Sequence, residues 1–383
     1  MKNASLFKVS FRNLLMFKFV IPALIQMISL SSNAQSGHNE IEFSPQASIA
    51  VFTANGNNMT GSAPGGEIIY HLDTKENQRT WIAAMNLKSI DFIFNYKNMS
   101  RITLIEDPKN GTFGDSYSIL TALNLPLFRI TGLDVDFSPG FGLTYAGQTW
   151  FTNANPVIGS HLSFASRMGL RASTSLSSTT KVSAGINILH YSNAGTRVPN
   201  NGMNVSSLSV GVIKMLKTNA QERPNTVSKT YFEDHFKRHT VDFAANIGRR
   251  GVYHSKDGLY KSGLYAGYNY RLNSILGLST GIDAVYYYSV YDPAKNDETY
   301  QSKATSYDRW RVGAGVGPDL WMGRTAVMLK VGYYLHYNSL KPVNMYWTAG
   351  IKYHLQDWIA LQAKLYVHGT EADFAGFGFN FTI

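Results

Sequence analysis

The chain has 383 residues and no cysteine, which excludes disulfides and thiol catalysis. Its formal net charge of +10 is spread rather than clustered, and no Lys/Arg run or paired zinc-ligand motif accompanies it. Nucleic acid is therefore not an expected partner, whereas an anionic surface is. Tyr (23), Phe (21) and Gly (33) are abundant and Pro (12) is scarce, a balance shared by membrane barrels with aromatic girdles and by aromatic-rich soluble β-proteins.

The chain opens with Lys2, Lys8, Arg12 and Lys18 ahead of an apolar run from Phe19 to Leu30, and Ser32-Asn33-Ala34 follows. Cations, a short apolar run and small residues are the parts of a secretory signal peptide, so residues 1–34 are expected to be removed before Gln35. The run is short for a spanning helix, which needs about 20 apolar residues, and no later segment reaches that length. No acid precedes Glu40, so removal lowers the net charge by four and leaves the mature chain modestly basic.

From Phe43 onward, alternating segments are separated by turn-type residues such as Asn55-Gly56 and Asn110-Gly111. Strands are expected near Gln46–Phe52, Glu67–Leu72, Thr80–Leu87, Asp91–Thr103, Tyr117–Arg129, Leu133–Tyr145 and Leu162–Ala172. Asp134 and Asp136 alternate with Leu133, Val135 and Phe137, so they should face a polar interior. His161, in Gly159-Ser160-His161, reads as a structural loop contact.

The next stretch, Val182 to Asn204, reads VSAGINILHYSNAGTRVPNNGMN. Alternation puts Val182, Ala184, Ile186, Ile188, His190 and Ser192 on one face, and Ser183, Gly185, Asn187, Leu189 and Tyr191 on the other. His190 and Ser192 thus share the more apolar face, which in an outer-membrane barrel meets lipid. Asn204 begins the run Asn204, Ser206, Leu208, Val210, Val212 and falls on that same side. About eight strands precede Met215.

Residues 218–238 lack sustained alternation and form the expected boundary. Alternation then resumes: Val327, Leu329, Val331, Tyr333 and Leu335 oppose Met328, Lys330, Gly332, Tyr334 and His336. Met345, Trp347, Ala349, Ile351 and Tyr353 oppose Tyr346, Thr348, Gly350, Lys352 and His354. The lysines, His336 and His354 are expected in a polar lumen. The chain ends on Phe377, Phe379, Phe381 and Ile383, opposing Gly378, Asn380 and Thr382. About eight strands are again expected, so the chain forms either two barrels of ~8 strands or one of ~16.

His190-Tyr191-Ser192-Asn193-Ala194-Gly195, followed by Pro199-Asn200-Asn201-Gly202, resembles the signature of the lipid A 3-O-deacylase (PagL) family of acyloxyacyl hydrolase-like proteins. The resemblance is dense over these residues and weak elsewhere. It implies an all-β fold, an antiparallel transmembrane β-barrel of the outer membrane. The eight-stranded deacylase unit would span residues 35–217, with a linker at 218–238 and a second barrel-like half at 239–383. Lys364 to Gly378 faintly echoes the motif, with His368 followed by Gly369-Thr370, so the second half could descend from internal duplication.

The resemblance assigns hydrolysis of an ester-linked acyl chain of lipopolysaccharide, with lipid A as substrate. Ser192 is then the nucleophile and His190 the general base, because a serine hydroxyl attacks an ester only when a neighbour takes its proton. Asn193, with the backbone N–H groups around Ala194-Gly195, is expected to form the oxyanion hole, Gly195 permitting a tight backbone approach. The family's Glu, twelve residues after the serine, falls on Asn204, an amide that can orient a histidine but not stabilise imidazolium by charge. No HExxH, EF-hand series or phosphate loop occurs, and neither metal nor organic cofactor is expected. Two alternatives stay open: a non-catalytic outer-membrane barrel, channel or structural, with a degenerate site, and a phospholipase in the same membrane.

Overall fold

A computed structural model describes residues 38–383 apart from 54–58, 76, 78, 106–112, 156, 217–235, 254, 293, 295–305, 340–342 and 370. The expected signal peptide and most of the expected linker lie outside the described residues. Two closed antiparallel barrels of eight strands account for most of the rest.

The first barrel runs from β1 (Glu40–Thr53) through β3 (Gly65–Asp73), β4 (Ser89–Asn98), β6 (Asp115–Ile130), β7 (Leu133–Ala146), β8 (Leu162–Ser177) and β9 (Thr180–Ser192) to β10 (Met203–Met215). It closes because β10 pairs back onto β1, with Glu40 opposite Met215 and Thr53 opposite Met203. A two-stranded ribbon, β2 (Met59–Thr60) with β5 (Thr103–Leu104), sits among its loops. The second barrel comprises β11 (His239–Gly251), β12 (Gly258–Arg271), β13 (Leu276–Tyr287), β14 (Trp310–Met322), β15 (Thr325–His336), β16 (Met345–Gln356), β17 (Ile359–His368) and β18 (Glu371–Thr382), and closes β18 onto β11. No described helix is long and apolar enough to cross a membrane. Closed barrels cross with strands instead, since closure pairs every wall N–H and C=O without an edge.

The alternation read from the sequence is an outside–inside alternation. On β15, Val327, Leu329, Val331, Tyr333 and Leu335 are exposed, whereas Ala326, Met328, Lys330 and Tyr334 are buried in the lumen. On β16, Ile351 and Tyr353 face out while Lys352 and His354 face in. His336 departs from expectation. It lies at the very end of β15, exposed, with Nε2 3.0 Å from Asp308 Oδ2, because the strand is leaving the wall there.

Paired charges run through both interiors. In the first barrel Arg167 grips Glu67 through Nε and Nη2 (2.9 and 3.0 Å), and His71 bridges Asp91 (2.8 Å) and Glu42 (3.1 Å). Asp136 is buried and accepts from Lys88 at 2.7 Å, while Asp134, less buried, accepts from Arg129 at 3.0 Å. In the second, Lys352 meets Asp242 at 2.7 Å, Arg311 meets Asp373 at 2.7 Å, and Lys364 pairs with Asp283. An eight-stranded barrel is just wide enough for side chains to fill, and these do.

Thr80–Leu87 is not a strand. Residues Thr80–Ala84 form a short helix, α1, and Trp81, Ile82 and Leu87 pack with Ile275 and Met322 of the second barrel. Its apolar residues are contiguous rather than alternating, which suits a packed plug at a strand connection better than a two-faced wall.

Most connections sort by length. Strands β6–β7, β8–β9, β12–β13, β14–β15 and β16–β17 are joined by two to four residues at one end. The longer connections, including 147–161, 193–202, 252–257 and 288–309, lie at the other end. A four-residue helix, α2 (Trp150–Asn153), lies in the first of these. The exceptions are β3–β4 (74–88, with α1) at the short-turn end and β17–β18 (369–370) at the long-loop end. Outer-membrane barrels keep short turns on the periplasmic side and long loops outside, which orients both barrels alike.

Candidate active site

His190 and Ser192 lie at the long-loop end of β9, on its outer face. The same face carries Ile186 and Ile188, 40% and 44% exposed, whereas Leu189 and Tyr191 are buried inside. Both polar side chains are half-buried. They stand at the rim of an apolar wall, just before the strand gives way to the 193–202 loop.

Asn204 is the register partner of His190 across β9 and β10. Its Oδ1 lies 2.9 Å from His190 Nδ1, and its Nδ2 donates to the Phe52 carbonyl on β1 at 3.3 Å. With the amide nitrogen committed to a carbonyl, the amide oxygen is the atom that accepts from the imidazole. In the neutral imidazole this places the proton on Nδ1 and makes Nε2 the acceptor.

Ser192 Oγ accepts from Ala194 N (3.2 Å) and from Asn200 Nδ2 (3.1 Å). The sequence places Asn200 in the Pro-Asn-Asn-Gly turn and gives it no role at the serine. It also accepts the Asn193 N–H on its Oδ1 at 3.1 Å, and so ties both sides of the loop to the serine. Only the folding back of 193–202 brings it there, and the Pro-Asn-Asn-Gly turn chemistry was the available signal.

The expected oxyanion donors divide: the Ala194 N–H points at Ser192 Oγ, whereas the Asn193 side-chain amide and the Gly195 N–H are engaged within the loop. Asn193 is buried, and its Nδ2 donates to Ser160 Oγ (2.9 Å) and Arg197 O (2.8 Å). Its Oδ1 accepts the Gly195 N–H at 3.0 Å. These groups brace the loop. Ala194 and Gly195 both take positive φ, 56° and 76°, a conformation that glycine adopts freely and alanine rarely. The unusual backbone at Ala194 points its N–H back at the serine.

His161 makes the loop contact expected of it, with Nδ1 2.7 Å from the Ala146 carbonyl and its ring stacked on Tyr145. The echo in the second half has a different geometry. His368 turns inward, accepting from Arg311 Nη1 at 2.7 Å and lying 2.5 Å from Tyr334 OH, and Thr370 lies outside the described residues. Where His190 faces outward, His368 is part of a lumen ion cluster.

Among solved structures the chain is similar to Neisserial surface protein A (14% identity over 47% of this chain and 98% of that one, TM-score 0.31). It is also similar to the outer membrane enzyme PagL (17%, 44% and 97%, TM-score 0.27) and to Acinetobacter baumannii Omp33 (11%, 90% and 97%, TM-score 0.14). No curated protein sequence matches it. Residues 88–212 match the family model of lipid A 3-O-deacylase (PagL), and residues 239–383 match that of the acyloxyacyl hydrolase C-terminal domain. Both halves thus point to one assignment, and the chain belongs to the PagL, or acyloxyacyl hydrolase-like, family of outer-membrane β-barrel proteins.

Proposed function

We propose that the protein is an outer-membrane lipid A deacylase that removes an ester-linked acyl chain by a Ser192/His190 mechanism, the catalytic barrel being residues 35–217. The observation that carries this reading is the arrangement of Ser192, His190 and Asn204. His190 and Asn204 are hydrogen-bonded, and Ser192 stands two residues along the same outer face, on the apolar wall at the long-loop end where the outer leaflet would lie. A lipid substrate reaches such a site by lateral diffusion, with its acyl chain already in hydrocarbon.

His190 Nε2 takes the Ser192 proton as Oγ attacks the ester carbonyl carbon. The resulting oxyanion is met by the donors nearest Ser192, the Ala194 N–H and Asn200 Nδ2, while Asn193 and Gly195 hold the loop that presents them. The C–O bond to the sugar then breaks, and His190 returns its proton to the leaving hydroxyl. Water, activated by the same imidazole, releases the fatty acid from Ser192. In the free protein Ser192 is bonded to the loop and His190 to Asn204, so the serine–histidine hydrogen bond has to form as substrate arrives, catalytic hydrogen bonds commonly being completed only in the substrate complex.

A second reading, a non-catalytic barrel with a degenerate site, is favoured by the amide at 204 where the family carries a carboxylate. Mass spectrometry of lipid A from cells expressing wild type and Ser192→Ala separates the two. Loss of one ester-linked chain with wild type alone is the expected result. Identical lipid A in both, with each protein folded in the outer membrane, would transfer the assignment to the non-catalytic barrel. Phospholipid breakdown with intact lipid A would make it a phospholipase.

A further inference from the structure

The second barrel meets the candidate site directly. Gly251, the last residue of β11, donates its N–H to the Gly195 carbonyl at 2.8 Å. A Cβ on Gly251 would lie 2.6 Å from Arg197 Cα, so the two backbones pass with no room for a side chain between them. A Cβ on Gly195 would lie 3.4 Å from the Ala372 carbonyl oxygen, at the start of β18. Further along β18, Phe377 stacks on Phe164 of β8, with ring centroids 6.2 Å apart and an interplanar angle of 28°. Phe164 stacks in turn on Phe141 of β7 at 5.8 Å and 21°. Phe164 is the register partner of Ser192, so the middle ring of this row of three lies beside the serine, and the row runs from β7 of one barrel to β18 of the other.

We propose that the seam between the two barrels is the acyl-chain subsite, and that Phe377 of the second barrel is a specificity-determining residue. The inference rests on Ser192 being the nucleophile. A lipid acyl chain is already in hydrocarbon, so moving it onto a barrel wall gains nothing from leaving water. Selection among chains has to come from van der Waals packing, as helix association in membranes does. A single barrel wall packs one side of a chain; a seam packs two. Phe141 and Phe377 are each 50% exposed on the outer surface, which leaves ring faces free for a chain whose carbonyl sits at Ser192. The Gly251–Gly195 bond fixes the loop against the same seam, tying the subsite to the nucleophile.

The test uses the full chain in detergent, with 4-nitrophenyl palmitate and 4-nitrophenyl butyrate as probes. Phe377→Ala should lower kcat/KM for palmitate roughly fivefold, through lost packing contacts, and leave butyrate unchanged. Phe377→Leu should recover most of the loss. Equal effects on both esters, or none on either, would overturn the subsite while leaving the deacylase reading intact. Unchanged rates in Ser192→Ala would instead remove the nucleophile and the subsite together. An independent measurement reports on the seam itself. The built Gly195 Cβ lies 3.9 Å from Ala372 Cβ, a separation that a disulfide spans. In this cysteine-free chain, the pair Gly195→Cys/Ala372→Cys should cross-link on oxidation. The two halves should then stay joined on a non-reducing gel after cleavage at a protease site inserted within 217–235. Separation of the halves, with both barrels folded, would overturn the seam whatever the esters show.

Discussion

His190 and Asn204 face each other as register partners on β9 and β10, with the imidazole Nδ1 2.9 Å from the amide oxygen. The bond from Asn204 Nδ2 to Phe52 O leaves the amide one orientation. It selects the imidazole tautomer that a serine hydrolase needs, and it does so without a charge. Replacing Asp by Asn in a serine protease triad is ruinous largely because the wrong tautomer results. Here the tautomer is already right, and only the charge is missing. Asn204→Glu should therefore raise the initial deacylation rate, by about tenfold, through charge stabilisation of the imidazolium. Asn204→Leu should lower it by about 100-fold through loss of orientation. Time courses of lipid A species by mass spectrometry check both, and an unchanged rate in Asn204→Leu would remove Asn204 from the site.

Asn200 makes a second, separable contribution. Its Nδ2 donates to Ser192 Oγ at 3.1 Å and its Oδ1 accepts from Asn193 N at 3.1 Å. Asn200→Asp keeps the acceptor for the loop and replaces the donor by a carboxylate oxygen beside the reacting atoms. Losing one oxyanion donor costs about 100-fold or more in kcat. The expected outcome is a fall of that order with the barrel's heat-modified gel mobility unchanged. A wild-type rate in Asn200→Asp would leave the Ala194 N–H as the sole donor of the pair.

The walls of both barrels were legible because a barrel in lipid imposes one rule along every strand, apolar outside and polar inside. Lys330 and Lys352, met at alternate positions in otherwise apolar strands, fall in the lumen as that rule requires. The facing of His190, Ser192 and Asn204 was legible for the same reason. Closure was not. Whether β10 returns to β1 depends on pairs such as Glu40 with Met215, which no local pattern encodes, so two barrels and one large one read alike. Asn200 was legible as a member of the Pro-Asn-Asn-Gly turn but not as a donor to Ser192, because that contact comes from a loop conformation rather than from strand periodicity. His336 was misread because strand alternation says nothing about where the wall stops.

The Glu67–Arg167 pair shows what holds the first barrel's interior in register. The guanidinium is 8% exposed and the glutamate 2%, and the bond between them is bidentate. Asn95 Nδ2 adds a third donor to Glu67 Oε1 at 3.1 Å. Breaking a buried pair leaves an uncompensated charge, so Arg167→Met should destabilise the barrel by roughly 3–5 kcal/mol. The double variant Glu67→Gln/Arg167→Met should recover most of that loss, because neither charge then remains. Urea unfolding in detergent micelles, followed by tryptophan fluorescence, gives both numbers. Additive losses in the double variant would show that Arg167 acts through packing, not through Glu67.

The packed interiors also bear on the channel alternative. Conduction needs a continuous aqueous path, and an eight-stranded barrel has room for one only if its lumen is left unfilled. The first lumen is crossed by Arg171–Glu42 (2.6 Å) and Arg167–Glu67, and the second by Lys352–Asp242, Lys364–Asp283 and Arg311–Asp373. Each of these side chains is buried or nearly so, and each plug joins strands distant in sequence. The purified protein in a planar lipid bilayer should therefore show no unitary conductance steps in molar potassium chloride. Steps that persist in Ser192→Ala, with lipid A untouched by wild type, would favour the channel. A silent bilayer together with deacylated lipid A leaves the lumen a structural filling and the chemistry on the outer wall.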